Sequence, residues 1–214
     1  MNVIEAINER RSTRAFLPDP VERDKLTAIL EAAARAPSWA NSQPWEVFVA
    51  TGATLERIKA GYLEKYASKT PPATDMPMPP AWTQAAKDRR QGLSDGMARV
   101  CGEAAKRFGA LNREMFNAPA VVFVCMDKVL SHWSLYDIGA YAQNLMLAAV
   151  ENGLGAIPAI TLVLYPDVLR REMRIPDNLK VTIGIAIGHI DKAHRINDFS
   201  SERVPFDEAT HFFD

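Results

Sequence analysis

Arg10, Arg11, Ser12 and Arg14 stand within five residues of one another near the start of the chain. Three guanidinium groups and a hydroxyl at this density could surround a phosphate monoester, because each guanidinium presents paired donors to an anion's oxygens. The same run also reads as the solvated end of a helix, a common place for short basic clusters. A second dense segment, Pro37-Ser38-Trp39-Ala40-Asn41-Ser42-Gln43-Pro44-Trp45, mixes small hydroxyls, amides and two indoles. That mixture suits hydrogen bonding to the edge of a polar heterocycle while a ring stacks on its face. A capped turn with two core tryptophans is the other reading.

Three further patterns carry less. Gly92-Leu93-Ser94-Asp95-Gly96 has the spacing of a hydrolase nucleophile elbow, with His189 or His194 downstream. An elbow needs a buried strand directly before its serine, and Lys87-Asp88-Arg89-Arg90-Gln91 cannot line a sheet interior. A serine hydrolase working through Ser94 is therefore the weakest reading. Gly153-Leu154-Gly155 has Pro158 where a dinucleotide fingerprint needs its third glycine, and it follows a helical pattern instead of a strand. His189 and His194 flank Asp191, yet the spacing fixes no third ligand, so no metal is expected.

The elements that must position these residues are partly visible in the hydrophobic pattern. Val3, Ile4 and Ile7 predict a short amphipathic helix ending near Ser12, and Leu26, Ile29, Leu30 and Ala33 a second one that stops by Pro37. Glu46 to Ala50 reads as a strand, followed by a helix over 53–68. Residues 70–81 hold five prolines and form an irregular excursion. A helical region over 83–115 is expected to break near Gly92 and Gly96. The run AVVFVCM at 120–126 is a strand covered on both faces, hence central. Ser134 and Asp137 form a plausible capping pair for a helix that ends at Asn152-Gly153. Ala156 to Leu164 is apolar and interrupted by Pro158, residues 166–174 form a short helix, and Val181 to Ile187 is the third clear strand. Without internal repeats or a dividing linker, 1–214 reads as a single domain with helices interleaved among a few strands.

With 214 residues, 48% hydrophobic and 24% charged, the chain is long and apolar enough for a sizeable core. A net charge of -1 provides no general attraction for nucleic acid or an anionic membrane. Two cysteines, Cys101 and Cys125, are too few for a disulfide framework and point to a reducing cytoplasm. The N-terminus shows no secretion signal, and the longest apolar runs reach only about half a bilayer span.

Taken together, ERRSTRAF at 9–16, APSWANSQPW at 36–45, DIGAYAQNLMLAAVENGLGAIP at 137–158, Ile175-Pro176 and Arg203-Val204-Pro205 resemble the nitroreductase family of flavin enzymes. The resemblance follows the family's order over nearly the whole chain. It implies an α+β fold of three α-β-α layers with a mixed central sheet wrapped by helices. It also implies a homodimer with two FMN sites at the subunit interface. Carried over by position, Arg10, Arg11, Ser12, Arg14 and Arg203 would hold the FMN phosphate. Pro37, Ser38, Trp39 and Asn41 would come from the other subunit, and Pro158, Ala159, Ile160 and Thr161 would lie beside the isoalloxazine. Gln143, with Asn144, would touch the flavin or pack in its helix.

The implied activity is reduction of nitroaromatic or quinone-like acceptors with NADH or NADPH, the two partners exchanging at one pocket in ping-pong turnover. Chemistry would reside on the flavin, with no protein nucleophile, and Arg14 near the ring's N1 edge would favour its reduced anion. Reductive dehalogenation, dehydrogenation, and a non-catalytic flavin carrier are the alternatives within that resemblance. Ile160 and Thr161 stand where some members carry an acidic residue and a glycine, which makes this pocket wall less polar.

Overall fold

In the computed structural model, which describes residues 1–213, the apolar run of the chain's middle becomes β2 (Ala120–Asp127). Its side chains alternate between two cores. Val121, Phe123 and Cys125 join one cluster, while Ala120, Val122, Val124 and Met126 join the other. This is why the strand reads as continuously apolar: period-two alternation places every residue against a helical layer.

β1 (Glu46–Thr51), β4 (Leu179–Gly188) and β3 (Gly155–Ala159) complete a sheet of order β1-β2-β4-β3. All neighbouring strands pair antiparallel. Among the described residues the mixed character of the sheet is confined to one parallel bridge, Ser12 to Ala156. On one face lie α2 (Arg23–Ala33) and α6 (Trp133–Glu151), contributing Leu26, Ile29, Ile138 and Leu145. The other face is covered by α3 (Gly52–Ala67), α5 (Phe108–Arg113) and α7 (Pro166–Met173), through Leu55, Ile58, Leu111 and Val168. The result is an α+β sandwich of three layers. α1 (Val3–Glu9) opens the chain and α8 (Phe206–Ala209) closes it.

Several local expectations change. The first helix ends at Glu9, leaving residues 11–13 extended along the sheet edge. α4 (Gln84–Cys101) runs uninterrupted through Gly92 and Gly96, and the break falls at Gly102, whose φ of 56° is left-handed. Gly96 serves packing: a Cβ there would meet the Phe199 ring at 3.0 Å. Ser94 sits exposed inside this helix, with no strand before it, which removes the nucleophile elbow. Ser134 and Asp137 do not cap α6, whose N-cap is His132 with no side-chain cap; both are buried. Residues 155–159 form a full strand despite Pro158. Gly153, at φ 71°, supplies the left-handed residue that ends the preceding helix.

The proline-rich stretch is irregular, but its start is fastened. Asp75 accepts from Arg170 at 2.7 Å and from the Val181 N–H at 2.8 Å, and the Ala73 N–H donates to the Leu164 carbonyl.

Candidate functional site

Ser12 and Thr13 lie against the open edge of β3, and Phe16 continues along Ile190. The Thr13 N–H donates to the Ala156 carbonyl at 3.1 Å, and a Cβ on Gly155 would collide with the Thr13 side chain. Glycine at 155 is thus the condition for this close approach. Asn197 fixes the next turn of chain. Its Oδ1 accepts from the Arg14 and Ala15 N–H groups at 2.7 and 3.3 Å, and its Nδ2 donates to the Ala15 and Asp191 carbonyls. Both residues are buried, so these bonds are made out of water, where an unmet polar group is costly.

Arg14 is 7% exposed. Its Nη1 donates to the Ser12 carbonyl at 3.1 Å and the Phe199 carbonyl at 3.4 Å, and its guanidinium lies 5.2 Å from the Phe199 ring centre. Burial pushes its pKa below the ordinary arginine value. Its Nε is buried with no hydrogen-bond partner. Arg10 is half-buried, and its pKa is lowered by that burial and by the neighbouring Arg203. Arg203 is held by Ser201 and the Glu202 carbonyl beside a cleft of about 500 Å³ against Gly92, Gly96 and Arg99 of α4. Among the described residues none of Arg10, Arg11, Arg14 and Arg203 has an acidic partner within 4.0 Å. Arg10 and Arg203 thus stand close enough to repel each other with no ion-pair partner, although Glu202 and Glu208 line the cleft beside Arg203, and the buried Arg14 keeps one donor unused.

The chain leaving β3 forms a 3-10 turn, Ile160–Val163, that carries Ile160 outward. The Thr161 hydroxyl donates to Asn112 Oδ1 at 3.0 Å, and the Leu162 carbonyl accepts from the Tyr62 hydroxyl at 2.7 Å. Burial raises the Tyr62 pKa, which keeps that donor protonated. The end of β3 is thereby clamped from α3 and α5.

The 37–45 segment divides. Trp45 is the core tryptophan, 5.1 Å from the Tyr141 ring between centroids. Trp39 is 71% exposed. The loop around it holds Ala40, Asn41 and Gln43 at positive φ, a conformation that costs non-glycine residues of order 1 kcal/mol each. It is retained because Asp137 Oδ2 accepts from the Trp39 N–H at 3.2 Å and Ser38 Oγ accepts from the Gln43 N–H at 3.0 Å. Pro37, Ser38 and Trp39 line an apolar cavity of about 540 Å³ with Trp133 and Tyr136 of α6. No arginine of the first cluster lines it, and Arg203 lines the separate cleft against α4. Asn41 and Gln143 are exposed.

Asn197, Phe199, Trp133 and Tyr136 have no place in the sequence pattern as site residues, and Asp137 enters it only as a helix cap. Trp133 and Tyr136 could have been found by their i,i+3 spacing, which puts two aromatics on one helix face.

The same three-layer fold occurs in a solved FMN and NADPH-dependent nitroreductase, NfnB of Sphigopyxis sp. strain HMH. The two superpose with a TM-score of 0.91 at 28% identity over 100% of each chain. NfnB of Mycobacterium smegmatis, solved in complex with NADPH, gives a TM-score of 0.90 at 27% identity, again over 100% of each chain. In sequence, the chloronitrobenzene nitroreductase of Comamonas testosteroni is 33% identical over 214 residues, covering 96% of this chain and 94% of that protein. The nitroreductase family as a whole matches residues 7–189. The chain belongs to the nitroreductase family.

Proposed function

We propose that the protein is an FMN-dependent oxidoreductase that uses NAD(P)H to reduce nitroaromatic compounds, and that it works as a single-domain cytoplasmic homodimer. The observation that carries this reading is the buried Arg14 guanidinium with its orphaned Nε, on the same segment as Arg10, which lies beside Arg203, none of the three having an ion-pair partner within 4.0 Å among the described residues. A monoester phosphate supplies the missing negative charge, so the residues present fit FMN. Arg10, Arg11, Ser12 and Arg203 would hold that phosphate, and Arg14 would stand between it and the ring's polar edge. The bound flavin would supply the redox chemistry, accepting two electrons as hydride and passing them on.

The protein's own residues position and shield. Tyr62 and Asn112 hold the Pro158–Thr161 corner, giving the ring a fixed wall, and Ile160 presents an apolar surface to an aromatic acceptor. Pro37, Ser38, Trp39 and Asn41 would close the pocket from the second copy. A pocket without a separate nucleotide fold takes donor and acceptor in turn, which gives ping-pong turnover, and a flat quinone meets the same steric demands as a nitroarene. Two buried free thiols suit a reducing compartment.

The test is direct. The purified protein should be yellow, release FMN on denaturation, and oxidise NADPH anaerobically when a nitroarene is added. A folded preparation that cannot take up riboflavin 5′-phosphate overturns the reading.

A further inference from the structure

A second groove, of about 850 Å³, runs along α4 beside Lys87, Arg90 and Gln91 and ends against Phe108. Its lining holds three cations, Lys87, Arg90 and Lys106, and one acid, Glu103, which is already bonded to Lys106 at 2.7 Å. Lys87 and Arg90 have no acidic partner within 4.0 Å among the described residues. Arg90 lies over the Trp82 ring, its guanidinium carbon 4.6 Å from the centre, and that indole is 45% exposed. At its far end the Phe108 carbonyl accepts from Asn112 Nδ2 at 2.9 Å, and Asn112 in turn accepts from Thr161. One wall of the groove, Phe108, is therefore linked by two hydrogen bonds to Thr161, at the corner that would face the flavin, while Lys87 and Arg90 stand at the other end without an acid. Between Lys87 and Met97 the helix rises about 15 Å at 1.5 Å per residue.

That combination has a chemical counterpart. A pyridine dinucleotide is an extended molecule with an aromatic purine and phosphates at the end remote from its reactive ring. Those phosphates need cations, and Arg10, Arg14 and Arg203 are committed to another phosphate if the flavin reading holds. We propose that the Lys87–Arg90 groove of α4 binds the adenosine phosphates of the NAD(P)H donor, with the purine against Trp82 and the nicotinamide directed at Ile160 and Thr161. The proposal rests on the flavin-oxidoreductase reading, and its test separates the two.

Flavin-loaded protein is compared with its Lys87→Gln/Arg90→Gln variant. Adenosine 2′,5′-bisphosphate, which carries phosphates and purine without nicotinamide, is titrated by calorimetry. Binding to the wild type is expected, weakened about tenfold or more in the variant, as for loss of charge-assisted hydrogen bonds. In parallel, kcat/KM for NADPH is divided by that for 1-methyl-1,4-dihydronicotinamide, a donor without phosphates, and this ratio should fall by about tenfold in the variant. Equal affinity of both proteins for the bisphosphate, no binding to either, or an unchanged ratio overturns the proposal. A protein that turns over neither donor sinks the oxidoreductase reading instead, and the calorimetric comparison still decides the groove.

Discussion

The arginine half of the site is held from inside, whereas the tryptophan half is held only along one edge. Around Arg14 the supports are buried but for one: the four bonds of Asn197, of which only that to Asp191 is partly exposed, the Phe199 ring, the Thr13 link to β3 and the glycine that admits it. Around Trp39 the loop hangs from a single acceptor, Asp137, and shows its aromatic surface together with Trp133 and Tyr136, each more than 70% exposed. Apolar patches of this kind on a water-facing surface mark places that something else covers. The first half is finished within one protomer, while the second is shaped for a surface to be brought to it. In the homodimer proposed above, that surface is the second copy.

Breaking the buried half should have the largest effect. Asn197→Leu leaves the Arg14 and Ala15 N–H groups without their partner and takes one of two donors from each of the Ala15 and Asp191 carbonyls, and should cost about 3 kcal/mol of stability, read as a lowered urea midpoint. An unchanged midpoint would mean that the 14–15 turn is supported by its backbone alone.

Arg14→Ala keeps those bonds and removes only the guanidinium. Flavin retention should weaken by about tenfold or more, measured as FMN per protomer after gel filtration at graded dilution. Full flavin content with unchanged turnover would contradict the phosphate assignment.

Exposed aromatic surfaces, the C-terminal tail beside the Arg203 cleft as well as the Trp39 half, should respond in the opposite sense. Removing the last ten residues, which include Phe206, Phe212 and Phe213, should leave protomer stability within about 0.5 kcal/mol but loosen the dimer on sedimentation. Trp39→Ala with Trp133→Ala should act likewise. If either variant unfolds the protomer and leaves association untouched, the contrast between the halves is lost.

The smallest effect concerns the core thiols. Burial pushes the Cys125 pKa up to about 12 and raises that of Cys101, despite the nearby Arg14. In the native fold both therefore stay protonated at pH 8, and iodoacetamide should label neither, whereas urea-unfolded protein is labelled at both. Because the folded value of Cys125 is raised, the stability it contributes is fully present below about pH 9. That contribution is lost between about 9 and 12 as the unfolded thiol ionises.

Much of the framework was legible before any coordinates. The period of Leu26, Ile29 and Ala33, the unbroken apolar run at 120–126 and the turn at Asn152-Gly153 each report a local fact: which side of an element meets a core, or where a helix must stop. The glycines of α4 misled because glycine weakens a helix on propensity alone, while here Gly96 is the space into which Phe199 packs. Pro158 misled in a similar way: proline is tolerated in a short strand at the end of a sheet, where the ladder is already incomplete.

The site was legible as composition and not as geometry. Clustered guanidinium groups and an indole-rich loop were visible at 10–14 and 37–45, because the residue types themselves carry the chemistry. That Trp45 enters the core while Trp39 faces outward, that Ala40 and Gln43 accept left-handed backbone, and that Arg14 is steadied by Asn197 were decided only by the folded chain. The reason is range: local pattern reflects which residues can share a helix face or a strand, and the Asn197–Ala15 bond joins positions 182 apart, whose pairing exists only once the sheet has brought both ends of the polypeptide to the same edge.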